Sequence, residues 1–214
     1  MKIFLIGDSI RQGYDKAVKL ALDGKAEVYF PDENCRFSTY VLRNLGDWKD
    51  MAGLKHDTVD LVHFNVGLWD SLELYGDEPL VDIEFYKKTL DRICKRIELL
   101  FPGAKIIFAT STRVIEERYP KNFMRRNSVI EEYNKAAVEV MNKYGYYVND
   151  LYELTKSLGL DHYSDMTHLY TEKGRVAMLR QVLDSICKVM DIKNDFDCEA
   201  IVKEVGGLNA PLGL

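Results

Sequence analysis

The chain has 214 residues, 47% of them hydrophobic and 29% charged, with a formal net charge of -5. That is enough apolar material for one domain of upper-middle size with a sizeable core. An acidic balance without a Lys/Arg cluster interleaved with aromatics argues against a nucleic-acid partner, and no apolar run approaches the ~20 residues a membrane span requires.

Lys2-Ile3-Phe4-Leu5-Ile6 reads as a first strand, closed by Gly7-Asp8-Ser9. It begins at residue 2, which leaves no room for a signal peptide ahead of it and points to the cytoplasm. A helix is expected through about residue 23, stopped at Gly24, a good C′ residue. Ala26–Phe30 is a short second strand, and Thr39–Ala52 is helical with Val41, Leu45 and Trp48 on one face. Val59–Phe64 is a third strand, followed by the loop Asn65-Val66-Gly67-Leu68-Trp69-Asp70. The stripe Tyr86, Leu90, Ile93, Ile97 and Leu100 marks a helix ending at Pro102-Gly103, and Lys105–Ala109 is a fourth strand. Ser128-Val129-Ile130-Glu131 has the capping-box pattern. It opens a helix with Ile130, Tyr133, Ala137, Val140 and Tyr144 inward, which Gly145 ends before a last short strand at Tyr146–Val148. Val176, Leu179, Leu183, Ile186 and Met190 define the final long helix.

Strands alternating with helical periodicity are the pattern of a parallel sheet wrapped by helices. The expected organisation is one domain over residues 1-190 and a C-terminal extension over 191-214. The ending from Val205 to Leu214 is too Gly-rich for a helix yet apolar, so it either packs on the domain or a partner subunit, or frays.

Four cysteines (Cys35, Cys94, Cys187, Cys198) are widely spaced without a CxxC pair, which argues against a disulfide framework or a zinc site. Cys94 and Cys187 fall on apolar helical stripes as core thiols. Of the histidines, His63 lies within the third strand as a structural residue, and His56 sits in a polar loop. His162, beside Asp161, is expected to line the mouth of any site at that edge.

The remaining histidine carries the chemistry. A serine hydroxyl is a poor nucleophile until a histidine takes its proton, and that histidine needs an acid to hold its tautomer. Ser9 stands at the carboxyl end of the first strand, where open α/β sheets place their ligands. Far later the chain reads Asp165-Met166-Thr167-His168, a spacing that lets the carboxylate and the imidazole meet within one turn. Ser9 also falls near the amino end of the following helix, where unpaired N–H groups can face a developing oxyanion.

Over about residues 1-190 the chain resembles the SGNH (GDSL-type) esterase and acylhydrolase superfamily. The matching blocks are Gly7-Asp8-Ser9-Ile10, the Pro31-to-Thr39 segment, Gly67-Leu68-Trp69-Asp70 and Asp165-Met166-Thr167-His168. The resemblance implies a flavodoxin-like three-layer α/β/α sandwich around a parallel five-stranded sheet. It also implies Ser9 as nucleophile, His168 as general base and then acid, and Asp165 orienting His168. Two blocks depart from the family. The third usually supplies an asparagine amide to the oxyanion, and Trp69 stands in that place. Its indole N–H, or the amide of Asn65, is the candidate replacement. The second block usually supplies a glycine N–H, but Glu33-Asn34-Cys35-Arg36-Phe37-Ser38 has no glycine, so the donor would come from Cys35 or Arg36. The oxyanion candidates are therefore Ser9, Cys35, Trp69 and Asn65.

Around them, Asp8, Asn34, Arg36, Leu68 and Tyr163 are the candidate substrate-binding residues, with Phe37, Tyr75, Arg113 and Tyr119 on flanking loops. Arginines and aromatics suit a sugar-like leaving group, and a bulky Trp69 suits a small acyl group. The expected activity is hydrolysis of a short-chain ester, an acetyl group on a carbohydrate or small metabolite, without metal or other cofactor. The alternatives are a lysophospholipase or thioesterase, which needs a long apolar groove, and a non-catalytic flavodoxin-like binding protein with a degenerate site.

Overall fold

The computed structural model describes residues 1–54 and 58–207. Its strands are β1 (Lys2–Ile6), β2 (Glu27–Tyr29), β3 (Leu61–Asn65), β4 (Glu73–Leu74), β5 (Lys105–Ala109), β6 (Phe123–Met124) and β7 (Tyr147–Asn149). The helices are α1 (Ser9–Gln12), α2 (Asp15–Ala21), α3 (Ser38–Met51), α4 (Ile83–Leu100), α5 (Asn127–Tyr144), α6 (Leu151–Lys156), α7 (Glu172–Met190) and α8 (Cys198–Val205).

Five strands form one parallel sheet in the order β2-β1-β3-β5-β7. Alternate side chains leave the sheet on opposite faces and build two cores. Ile3, Leu5, Leu61 and Ile107 pack with residues of α2, α7 and α8. Phe4, Ile6, Val62, Phe64, Ile106 and Phe108 pack with residues of α3, α4 and α5. The result is the three-layer α/β/α sandwich, with the flavodoxin-like strand order. The chain moves to one side of β1 for β2 and to the other for β3, so the order reverses beside β1. The crevice outside the carboxyl ends of β1 and β3 is where such sheets bind ligands.

The structure corrects several boundaries. The first predicted helix is two, α1 and α2, broken at Gly13-Tyr14. A Cβ on Gly13 would lie 2.9 Å from the Tyr170 ring, so the glycine admits that tyrosine. Ser128 does not cap α5, which starts one residue earlier without a side-chain cap. The carboxylate of Glu116 instead accepts from Asn127 N–H at 2.7 Å. The short antiparallel β4–β6 pair, α6 and α8 were not foreseen. α8 is capped by Asp197 and buries Cys198 and Val202 against the α2 and α7 side of the core. All four cysteines are buried free thiols. Residues 208–214 and His56 lie outside the described residues. Among the described residues, no helix is long and apolar enough to cross a membrane.

Candidate active site

β1 delivers Gly7, Asp8 and Ser9 to the crevice. A Cβ on Gly7 would lie 1.9 Å from Asn65 Oδ1 and 2.8 Å from Arg11 Cβ, so close approach rather than turn geometry demands the glycine. Asp8 caps α1, its Oδ1 accepting from Ile10 N–H at 2.9 Å and from the Asn65 amide at 2.9 Å. Burial pushes the Asp8 carboxyl above its ordinary range, opposed by those two bonds and by the charges of Arg125 and His168. Ser9 opens α1 and is nearly buried.

The second half of the site is a tight turn ahead of α7. Asp165 Oδ1 accepts from Thr167 N–H at 2.7 Å and from His168 N–H at 2.8 Å. Ser164 N–H closes the turn on His168 O at 2.8 Å. These bonds orient the remaining carboxylate oxygen, Oδ2, at 2.8 Å from His168 Nδ1. His168 Nε2 then lies 2.8 Å from Ser9 Oγ. With the proton on Nδ1, bonded to the carboxylate, the Nε2 lone pair faces the serine hydroxyl. Burial pushes the Asp165 carboxyl up, but the hydrogen bonds from His168 and Thr167 and the imidazole charge outweigh it. The group is held below its ordinary range.

Tyr170, which the sequence reading did not single out, locks the two halves together. Its hydroxyl donates to Ser9 O at 2.5 Å, and its ring packs on His168 with centroids 4.9 Å apart. Its one sequence signal was position, two residues past His168.

The oxyanion candidates divide sharply. Cys35 N–H donates to Gly7 O at 3.1 Å, and Arg36 N–H is taken by Asn34 Oδ1 at 2.8 Å. The Asn65 amide is committed to Asp8. Cys35 and Arg36 are thus corrected as donors because each backbone N–H already has an internal acceptor, and the buried Asn65 spends one of its two amide N–H groups on Asp8. Ser9 N–H and Trp69 Nε1–H have no protein acceptor among the described residues. Trp69 is half-buried and meets Phe37 edge-on, with ring centroids 6.4 Å apart at 72°.

Asp8 and Leu68 are buried and engaged internally, and Tyr163 is buried with its hydroxyl donating to Arg113 O at 3.1 Å. Asn34 is half-buried, and Arg36 is exposed, its guanidinium 5.3 Å from the Tyr40 ring centroid. His162 faces a groove of about 500 Å³ between α6 and α7, lined also by Leu154, Val176 and Arg180, rather than the mouth at Ser9. His63 is buried, 3.4 Å from the Asn149 amide and edge-on to Tyr14.

An α/β sandwich with a hydrogen-bonded serine, histidine and aspartate at its switch point is the arrangement of serine hydrolases of the flavodoxin-like type. No family model matches the chain, and no curated protein matches it in sequence. Solved structures do. A lipase/acylhydrolase from Enterococcus faecalis superposes with a TM-score of 0.69 at 20% identity, covering 88% of this chain and 96% of that one. The acetyl xylan esterase AlAXEase gives 0.63 at 15% identity over 88% and 99% of the two chains. The psychrotrophic esterase EstA from Pseudoalteromonas sp., in a structure inhibited by monoethylphosphonate, gives 0.64 at 12% identity over 89% and 98%. The fold is that of the SGNH (GDSL-type) hydrolases.

Proposed function

We propose that the protein is a serine esterase that hydrolyses a short-chain ester, an acetyl group on a carbohydrate or small metabolite, through an acyl-enzyme on Ser9. The observation that carries this reading is the continuous relay from Ser9 Oγ through His168 to Asp165, each link 2.8 Å. Ser9 Oγ attacks the ester carbonyl as its proton passes to His168 Nε2, and Asp165 stabilises the imidazolium. The tetrahedral oxyanion is met by Ser9 N–H and Trp69 Nε1–H. Collapse expels the alcohol, which takes the proton from His168. Water then adds to the acyl carbonyl with His168 again as base, and the carboxylic acid leaves. The Trp69–Phe37 wall favours a small acyl group, and an acetyl xylan esterase is among the proteins of similar fold.

Hydrolysis of 4-nitrophenyl acetate, butyrate and octanoate by wild type, Ser9→Ala and His168→Ala tests the proposal. Turnover that is highest on acetate and lost in both variants supports it. A rate rising toward octanoate indicates a lysophospholipase or thioesterase type of acylhydrolase, and no turnover by folded protein indicates a binding protein.

A further inference from the structure

Arg125 follows β6 directly, and the pairing of Glu73 with Met124 and Leu74 with Phe123 carries it to the loop that holds Trp69. Its side chain is buried, at 4% exposure. Nε donates to Leu68 O at 2.8 Å and Nη1 to the Tyr119 hydroxyl at 3.4 Å. The guanidinium carbon lies 5.7 Å from the ring centroid of Trp69, 6.0 Å from that of Tyr119 and 5.3 Å from that of Phe123. Aromatic faces ease the burial of a cation, but they do not neutralise it.

No carboxylate among the described residues forms an ion pair with Arg125. The adjoining Arg126 takes Glu73, and the buried Asp8 feels Arg125 only through space. A guanidinium has five N–H donors in a fork that fits a carboxylate or phosphate. Here two are used, and Nη2 has no protein acceptor among the described residues. A desolvated charge without a counter-ion is costly, and an anion brought by a ligand removes that cost. The position is also coupled to the reacting groups. Leu68 precedes Trp69, and Tyr119 Oη shares a 2.5 Å hydrogen bond with Thr167 Oγ1, next to His168.

We infer that Arg125 is a specificity residue for a substrate whose alcohol portion carries a carboxylate or phosphate group, a sugar acid or a sugar phosphate in its ester form. The inference rests on the esterase reading above, in which the acyl group is acetyl and offers no place for a charge. The anion therefore belongs to the leaving alcohol, and Nη2 receives it.

The test compares kcat/KM for acetyl esters of a methyl hexoside, the matching hexuronic acid and the hexose 6-phosphate, with 4-nitrophenyl acetate as the neutral reference. Wild type is expected to prefer one charged ester over the neutral hexoside by tenfold or more, and which one identifies carboxylate or phosphate. The charged-to-neutral ratio falls on the order of tenfold to a hundredfold in Arg125→Met, with Arg125→Lys between, as loss of a charge-assisted pair implies. Inorganic phosphate should compete with 4-nitrophenyl acetate on wild type, a readout that needs no variant. Equal kcat/KM on charged and neutral esters, or variants that lower all substrates alike, overturns the inference and leaves Arg125 a packing residue. Failure of wild type on 4-nitrophenyl acetate and on every sugar ester overturns the esterase reading itself, so the two failures are distinct.

Discussion

Replacing Asp165 by asparagine changes the relay at one atom. The carboxylate accepts three hydrogen bonds: Thr167 N–H and His168 N–H reach Oδ1 at 2.7 and 2.8 Å, and His168 Nδ1 reaches Oδ2 at 2.8 Å. An asparagine keeps Oδ1 on the two backbone donors, so the turn survives. Its amide nitrogen then faces Nδ1, and an amide nitrogen only donates. Nδ1 must become the acceptor, which moves the imidazole proton to Nε2. Nε2 now donates to Ser9 Oγ instead of accepting from it, and the general base is lost although the atoms have hardly moved. A wrong tautomer in such a relay lowers kcat on the order of 10⁴-fold. Loss of a charge-assisted bond at this half-buried site costs about 1–2 kcal/mol of stability, equivalent to a Tm drop of only about 2–8 °C for a chain of this size. The assay pairs steady-state hydrolysis of 4-nitrophenyl acetate with a thermal melt of the same preparation. Activity within tenfold of wild type in a well-folded Asp165→Asn protein refutes the reasoning.

Other predictions follow from the same contacts. Trp69→Phe keeps the ring wall but removes the indole N–H, and is expected to lower kcat on the order of 100-fold with KM little changed; unchanged kcat in steady-state kinetics rules Trp69 out as a donor. Gly7→Ala drives a methyl into Asn65 Oδ1. It should destabilise the fold by about 1–3 kcal/mol, read as a lower urea midpoint, and a wild-type midpoint counts against the close approach. Burial holds His63 down to about 4 from an ordinary 6.5, so its contribution is full above pH 6.5 and is lost as pH falls toward 4. Burial raises Asp70 to about 6 from 3.8 despite bonds from the Ser38 hydroxyl and N–H. Its contribution is present below pH 4 and lost as pH rises through 6. The two slopes oppose one another, so in Asp70→Asn stability between pH 6 and 4 should fall more steeply than in wild type, by up to about 3 kcal/mol. Parallel wild-type and variant profiles in urea titrations contradict this.

The three central strands β1, β3 and β5 were legible because each is almost wholly buried and reads as a short apolar run, whereas the edge strands β2 and β7 are only partly buried and showed mainly through the turn residues beside them. Gly7-Asp8-Ser9 and Asp165-Met166-Thr167-His168 were legible because each is a local string whose chemistry follows from residue type. What escaped depends on approach between distant segments. Tyr170 reaches Ser9 O from the far end of the chain, and Arg125 reaches Leu68 O from beyond a two-residue strand too short to show periodicity. The donors were misjudged for the same reason. Nothing near Cys35 announces that Gly7 O will take its N–H, and nothing near Asn65 announces Asp8. The Ser128 pattern failed because α5 starts at Asn127, which puts Ser128 inside the first turn rather than at the cap, and the Asn127 N–H is held by the Glu116 carboxylate from a distant turn.

The central claim is that Ser9 is a nucleophile activated by His168, and covalent trapping tests it without knowledge of the substrate. Wild type treated with a fluorophosphonate and measured by intact mass should gain one adduct, mapped by peptide sequencing to Ser9. Ser9→Ala should gain none, and His168→Ala should label far more slowly. An unmodified wild-type protein, or an adduct on another residue that persists in Ser9→Ala, would contradict the account.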